Sequence, residues 1–291
     1  MKYFILLTLF SISLFSAEAF ISAQDLHDKI GSDKLTVLDV GSHGVYHKGH
    51  IPTAKYVNIA QYCKRVGDHY EMQEIPHLVK LIRQLGIEND SYVVIYDHNS
   101  PNGLLNASYF ALVLHRLGHT NLSILNGSYE EWLYEYDGTK VVSAITPSNF
   151  VAHPNNELIV DSHYVAQHID KATTLDARVS KYYFGTYKSP GVYRLGHIEG
   201  AVSSYWKNSF LSDNTLAERE ILEAIYLHGL KLDPEEEVIL YGLDGYEASM
   251  NWYVLSKVFN FKKLKVYDAS IQEWGNQENT AMVTYAWESP K

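Results

Sequence analysis

A chain of 291 residues with a single cysteine, Cys63, cannot build an internal disulfide, so its stability must come from a packed core. The lone thiol is either buried and inert or reactive. Cations are also short: 24 Lys and Arg stand against 34 Asp and Glu, a net charge of −10. That balance argues against nucleic acid and anionic membrane surfaces as partners, and it exerts no long-range pull on anionic substrates. No apolar run reaches the roughly 20 residues that span a bilayer. The 14 histidines form no cluster with the cysteine, and neither a metal site nor a cofactor is expected.

What is present begins with a leader. Lys2 precedes an apolar run from Phe4 to Phe15, and Ser-Ala-Glu-Ala closes it at Ala19. This pattern predicts a secretory signal peptide over 1–19 and an exported mature protein in a periplasm, a secretory pathway or the extracellular space. No membrane attachment is expected once the signal is cut. Sequons at Asn106, Asn121 and Asn126 matter only if the host glycosylates exported chains. Hydrophobic residues make up 46% of the chain, enough for a sizeable core.

The strongest organisational signal is an internal repeat. The first half carries TVLDV (36–40), GHIPTA (49–54), YVVIYD (92–97), LHRLGHTNLSIL (114–125) and a closing Trp132. The second carries TTLDA (173–177), GHIEGA (196–201), EVILYG (237–242), LSKVFNFKKLKVY (255–267) and Trp274. A repeat this long means a duplicated domain. Within each unit, short β-branched runs alternate with helical patterns such as EIPHLVKLIRQLGI, whose Ile75, Leu78, Ile82 and Leu85 share a face. TLAEREILEAIYLHGL is its expected helical counterpart in the second unit. Apolar strands alternating with helices predict an α/β chain in which each domain is a parallel sheet flanked by helices. The expected division is domain one over 20–140, a Pro/Ser/Asn-rich linker over 141–158, and domain two over 159–291.

Asp-x-x followed by GHIPTA or GHIEGA, a strand–loop–helix, then LGHTNLSILNG and Trp resembles the tandem rhodanese family of thiosulfate and 3-mercaptopyruvate sulfurtransferases. The resemblance covers nearly the whole mature chain. It implies two rhodanese-like domains, with the reactive loop in the second. In that family a loop cysteine accepts a sulfane sulfur as a persulfide, supported by loop N–H groups, a helix N-terminus and nearby cations. Here the loop reads Gly242, Leu243, Asp244, Gly245, Tyr246, Glu247, Ala248. Gly245 and Ala248 stay in register while the nucleophile is absent. Asp244 and Glu247 stand where the family places cations, and they are expected to repel anionic donors.

The first domain ends the equivalent strand on Asp97, a candidate general base or, more commonly, a helix-capping carboxylate. Cys63, in Cys-Lys-Arg-Val-Gly, has two cations beside it, but no strand–loop–helix context marks it as a sulfur carrier. Arg178 falls where the family holds a substrate-binding arginine; its alternative is an ion pair with Asp244 or Glu247. Asp39 and Asp176 are expected to brace loops, and His50 and His197 to be architectural. The tyrosine-rich run 181–197 either lines a cleft beside the loop or decorates the surface. The expectation is an exported, catalytically silent homologue acting as a binding or structural module. Its partner would be a protein or a small anionic sulfur compound. Two alternatives stay open: sulfane transfer to a thiol or cyanide through Cys63 or a partner, and hydrolysis using Asp244 or Glu247.

Overall fold

The computed structural model describes residues 17–100 and 102–290. The expected signal segment lies mostly outside these residues. The first unit runs β1 (Phe20–Ile21), α1 (Ala23–Lys29), β2 (Leu35–Asp39), α2 (His43–Tyr46) and β3 (Lys55–Tyr56), then the hairpin β4 (Cys63–Val66) and β5 (His69–Met72). It continues with α3 (Ile75–Gln84), β6 (Tyr92–Tyr96), α4 (Gly103–Arg116), β7 (Leu122–Leu125) and α5 (Tyr129–Glu135). The second unit opens with β8 (Ile159–Val160), α6 (Ser162–His168), β9 (Thr173–Asp176), α7 (Ser180–Tyr183), β10 (His197–Ile198) and β11 (Ala201–Ser203). It closes with α8 (Arg219–Glu223), β12 (Glu237–Tyr241), α9 (Gly245–Lys257), β13 (Lys263–Tyr267), α10 (Ser270–Trp274) and β14 (Met282–Val283).

Both main sheets have five parallel strands, ordered β1-β7-β6-β2-β3 and β8-β13-β12-β9-β11. The orders superpose one to one, which is the duplication seen in the motifs. β6 and β12 are central, and their inner residues are fully buried because helices cover both faces. Ligand sites in such sheets lie beyond the carboxyl ends of the strands, where the loops to α4 and α9 begin.

Those two helices join the halves. α4 is apolar almost all round because it packs on its own sheet and on α9. Ser108 and Ser249 meet across the contact at 2.8 Å, and the rings of Tyr109 and Tyr246 stack at 4.2 Å. Phe20, just after the expected cleavage point, packs edge-on against Tyr253 and Phe210 of the second unit. The segment 141–158 carries no helix or strand but is docked on the first unit. Phe150 is fully buried, and His153 N–H donates to Leu117 O. Gly118, at φ +88°, lets that segment approach, since a Cβ there would lie 2.5 Å from His153 O.

One helix departs from expectation. The pattern over 215–230 gives only α8, followed by a π turn over Ala224–Gly229. The wider turn accompanies a buried Tyr226, whose hydroxyl lies 2.7 Å from Ser209 Oγ. Among the described residues, no helix is long and apolar enough to cross a membrane.

Candidate functional site

β12 delivers the loop at the carboxyl edge of the sheet, and α9 leaves it. Asp244 caps α9 by accepting the Tyr246 N–H at 3.1 Å. Gly242 N–H donates to Ser270 Oγ at 3.1 Å. Leu243 N–H donates to Glu247 Oε2 at 2.7 Å, because the Glu247 side chain folds back from the first turn of α9 over the loop. Three N–H groups that could have converged on a bound anion are therefore already satisfied from within. The geometry also explains the glycine. A Cβ on residue 242 would lie 2.6 Å from Glu247 Cβ and 3.0 Å from its Oε2. Glu247 occupies the space into which a loop nucleophile would project.

The electrostatics differ from the expected ring of negative charge. Burial, reinforced by the charges of Asp244 and Asp176 and opposed by the Leu243 N–H and Arg178, pushes the Glu247 carboxyl up to about 8. Burial likewise raises Asp244 against the Tyr246 N–H that lowers it. At neutral pH Glu247 is mainly protonated, so it obstructs the loop by occupancy and hydrogen bonding more than by repulsion. Both side chains keep partial solvent access through a cleft of about 240 Å³ between the starts of α4 and α9. Asn102, Leu105, Asn106, Leu243 and Tyr246 complete its lining.

Arg178 makes neither of the contacts expected of it. Only 1% exposed, its guanidinium binds Asp176, Ser189 Oγ at 2.8 Å and Gly196 O at 2.9 Å. Burial works against its charge, but Asp176 outweighs this and raises its pKa. The arginine is a brace with no donor facing the cleft. Asp176 also accepts the Tyr241 hydroxyl at 2.6 Å, and Asp39 does the same for Tyr96 at 2.7 Å and for His98 Nε2 at 2.6 Å. Both aspartates are the braces their positions suggested. His50 and His197 are buried and stacked on Tyr46 and Tyr183, at 4.0 and 3.8 Å.

Asp97 does not cap α4, whose N-cap is Asn102. It closes the preceding turn by accepting the Asn99 N–H, and burial lifts its carboxyl to about 7. A Cβ on Gly103 would meet Asp97 Oδ1 at 2.0 Å, and one on Gly245 would meet Asp268 Oδ1 at 1.9 Å. Each helix therefore starts on a glycine because a buried aspartate presses against it. Asp268, raised to about 7 by burial, also accepts the Met72 N–H and so ties the hairpin β4–β5 to the second domain.

That hairpin carries Cys63 to the loop, which its sequence context had not suggested. Its Sγ lies 3.7 Å from Tyr246 Oη, across 183 residues of chain. Burial and the charges of Asp268 and Asp244 nevertheless push the thiol above its ordinary 9.0, while the Tyr246 hydroxyl pulls the other way. The tyrosine-rich run does not line the cleft: Tyr183 is core, whereas Tyr187 and Tyr193 are exposed. The sequons Asn106, Asn121 and Asn126 all use their side chains in hydrogen bonds to Val40 O, Ser91 O and the Leu216 N–H.

Sequence reasoning missed Ser270 and Asp268 as parts of the site, and it named Tyr246 only as a loop position, not as the partner of Cys63. Ser270 had a signal, since Ser128 and Ser270 each stand four residues before the closing tryptophan of their unit. It also passed over the spacing His43-x-x-x-His47, which sets the imidazole at the start of α2 beside that of its C-cap residue.

The family described as Rhodanese-like domain matches residues 22–135 and 161–277. The sulfur carrier protein TtuD of Thermus thermophilus is 28% identical over 89% of this chain and 94% of its own. The thiosulfate sulfurtransferase of Rattus norvegicus is 29% identical over 88% of this chain and 91% of its own. The crystal structure of SseA from Escherichia coli, described as a 3-mercaptopyruvate sulfotransferase, covers 87% of this chain and 99% of that one. Its TM-score is 0.75 at 22% identity, a likeness of fold.

Proposed function

The chain belongs to the rhodanese-like domain family in tandem form, and on that premise we propose that it is a catalytically silent member serving as a binding or structural module. The observation that carries this is Glu247. A sulfane carrier needs a soft anion at residue 242, held by free loop N–H groups, so that it can attack the donor's outer sulfur and expel sulfite or pyruvate. Gly242 offers no such atom, and Leu243 N–H is taken by the Glu247 carboxyl. Arg178, the residue expected to hold an anionic donor, is committed to Asp176. The remaining cleft presents amides, a phenol and two carboxyls with raised pKa, so it suits an uncharged hydrogen-bonding group better than thiosulfate.

A second proposal rests on the 3.7 Å approach of Cys63 to Tyr246, which puts a thiol at the loop. Burial holds its pKa above that of an ordinary thiol and so keeps it protonated at neutral pH, which disfavours it as a nucleophile. We also propose export, supported by the leader pattern over 1–19; N-terminal sequencing of protein recovered outside the cytosol would begin near Phe20.

The test is steady-state turnover by the purified mature protein, given thiosulfate with cyanide or 3-mercaptopyruvate with a thiol. Neither thiocyanate nor pyruvate should form above the protein-free control. Turnover that Cys63→Ser abolishes would establish the second proposal in place of the first.

A further inference from the structure

Among the described residues, the imidazoles at the start and the C-cap of α2 are a pair that the rhodanese-like site leaves unused. His43 and His47 are exposed, one helical turn apart, with their Nε2 atoms 3.0 Å from each other. We infer that they form an open two-histidine site for a divalent transition metal of the Cu(II) and Ni(II) class.

Three observations converge on it. The first is ring placement. His43 packs edge-on against Tyr56 at 5.3 Å and His47 against Tyr46 at 5.3 Å, while Ser42 caps the helix through the Val45 N–H. Nε2 of one ring faces Nε2 of the other within hydrogen-bond distance, one donating and the other accepting, and an ion bound by both would take the place of that shared proton. The second is the bite. Metal–imidazole bonds run near 2.0–2.1 Å, so donors 3.0 Å apart subtend roughly 90–100° at the metal. That is the angle between neighbouring ligands in square-planar and octahedral ions, and it is narrower than a tetrahedral zinc site prefers.

The third is that the fold does not demand these histidines. The stacked pairs Tyr46–His50 and Tyr183–His197 align α2 with α7, and the positions matching His43 and His47 are Ser180 and Phe184. The repeat keeps its architecture without imidazoles there. α2 follows β2 at the carboxyl edge of its sheet, where ligand sites in such folds gather. Among the described residues, no group of three or more His, Cys, Asp or Glu could hold a metal. The remaining coordination positions would go to water or to an external ligand.

Titration of CuCl2, NiCl2 and ZnCl2 into the full mature protein by calorimetry, with electron paramagnetic resonance of the copper form, tests the assignment. One equivalent of copper should bind, with a spectrum showing two equatorial imidazole nitrogens, and it should bind more tightly than zinc. Joining two ligands on one frame raises affinity by roughly 100-fold over either alone. His43→Gln and His47→Gln should each lose about that factor with unchanged circular dichroism, while His163→Gln, exposed on α6, should bind as the parent does. The absence of stoichiometric copper binding would overturn the proposal. So would binding that survives either substitution, or zinc binding as tight as copper.

Discussion

Replacing Glu247 with glutamine asks whether the carboxyl folded over the loop holds its proton at neutral pH. In the folded chain it titrates at about 8, against 4.5 for the ordinary group. Between those values the folded protein binds more protons than the unfolded one, so stability falls as pH rises. The cost of Glu247 is absent below the unfolded value and complete above the folded one. The interval is 8 − 4.5 = 3.5 units, which at 1.36 kcal/mol each sets a ceiling of about 5 kcal/mol. Solvent access through the cleft screens part of this, leaving ~2–4 kcal/mol. Glutamine keeps an oxygen for the Leu243 N–H and has no proton to lose. Urea unfolding followed by tryptophan fluorescence should find the two proteins within ~1 kcal/mol at about pH 5 and Glu247→Gln ahead by ~2–4 kcal/mol at about pH 8.5. Asp97 and Asp268, each at about 7, slope the same way in both chains and cancel in the difference. A difference that does not change with pH would refute the reasoning.

Gly242→Ala should cost ~1–3 kcal/mol through overpacking against Glu247 Cβ. Much of that loss should disappear on a Glu247→Ala background, and strictly additive effects in a double-mutant cycle would count against the contact. Arg178→Met leaves Asp176 buried without its partner and should cost ~3–5 kcal/mol in chemical denaturation; a loss below ~1 kcal/mol would mean that the pair is not the brace described. Cys63, half-buried with a raised pKa, should react with iodoacetamide at neutral pH at least ~10-fold more slowly than in the urea-unfolded chain, and equal rates would contradict that setting.

Much of the fold was legible in the sequence because its signals are local and occur twice. β-branched runs such as YVVIYD and EVILYG read as buried strands, and the ordered recurrence of Gly-His-Ile and Trp marked the duplication. That no cysteine stands in the loop 242–248 is plain from the sequence, where Gly245 and Ala248 suggest the register. What escaped depends on side-chain direction and on contacts between distant segments. The fold-back of Glu247 is a rotamer choice, and its neutralisation follows from burial that no linear pattern records. Cys63 reaches Tyr246 only because the hairpin β4–β5 crosses to the second domain, where Asp268 grips Met72. The failure at Arg178 was different. Its partner Asp176 is only two residues away in the sequence, but no linear pattern sets that pairing above one with the acids of the loop. The helix expected over 215–230 shortened because periodicity does not distinguish an α turn from a π turn.

The most direct trial is intact mass of the mature protein after incubation with excess thiosulfate or 3-mercaptopyruvate and removal of the donor. An unchanged mass is expected, since the loop holds a carboxyl where a persulfide would have to form. A stable gain of one sulfur atom, on Cys63 or anywhere else in the chain, would contradict it.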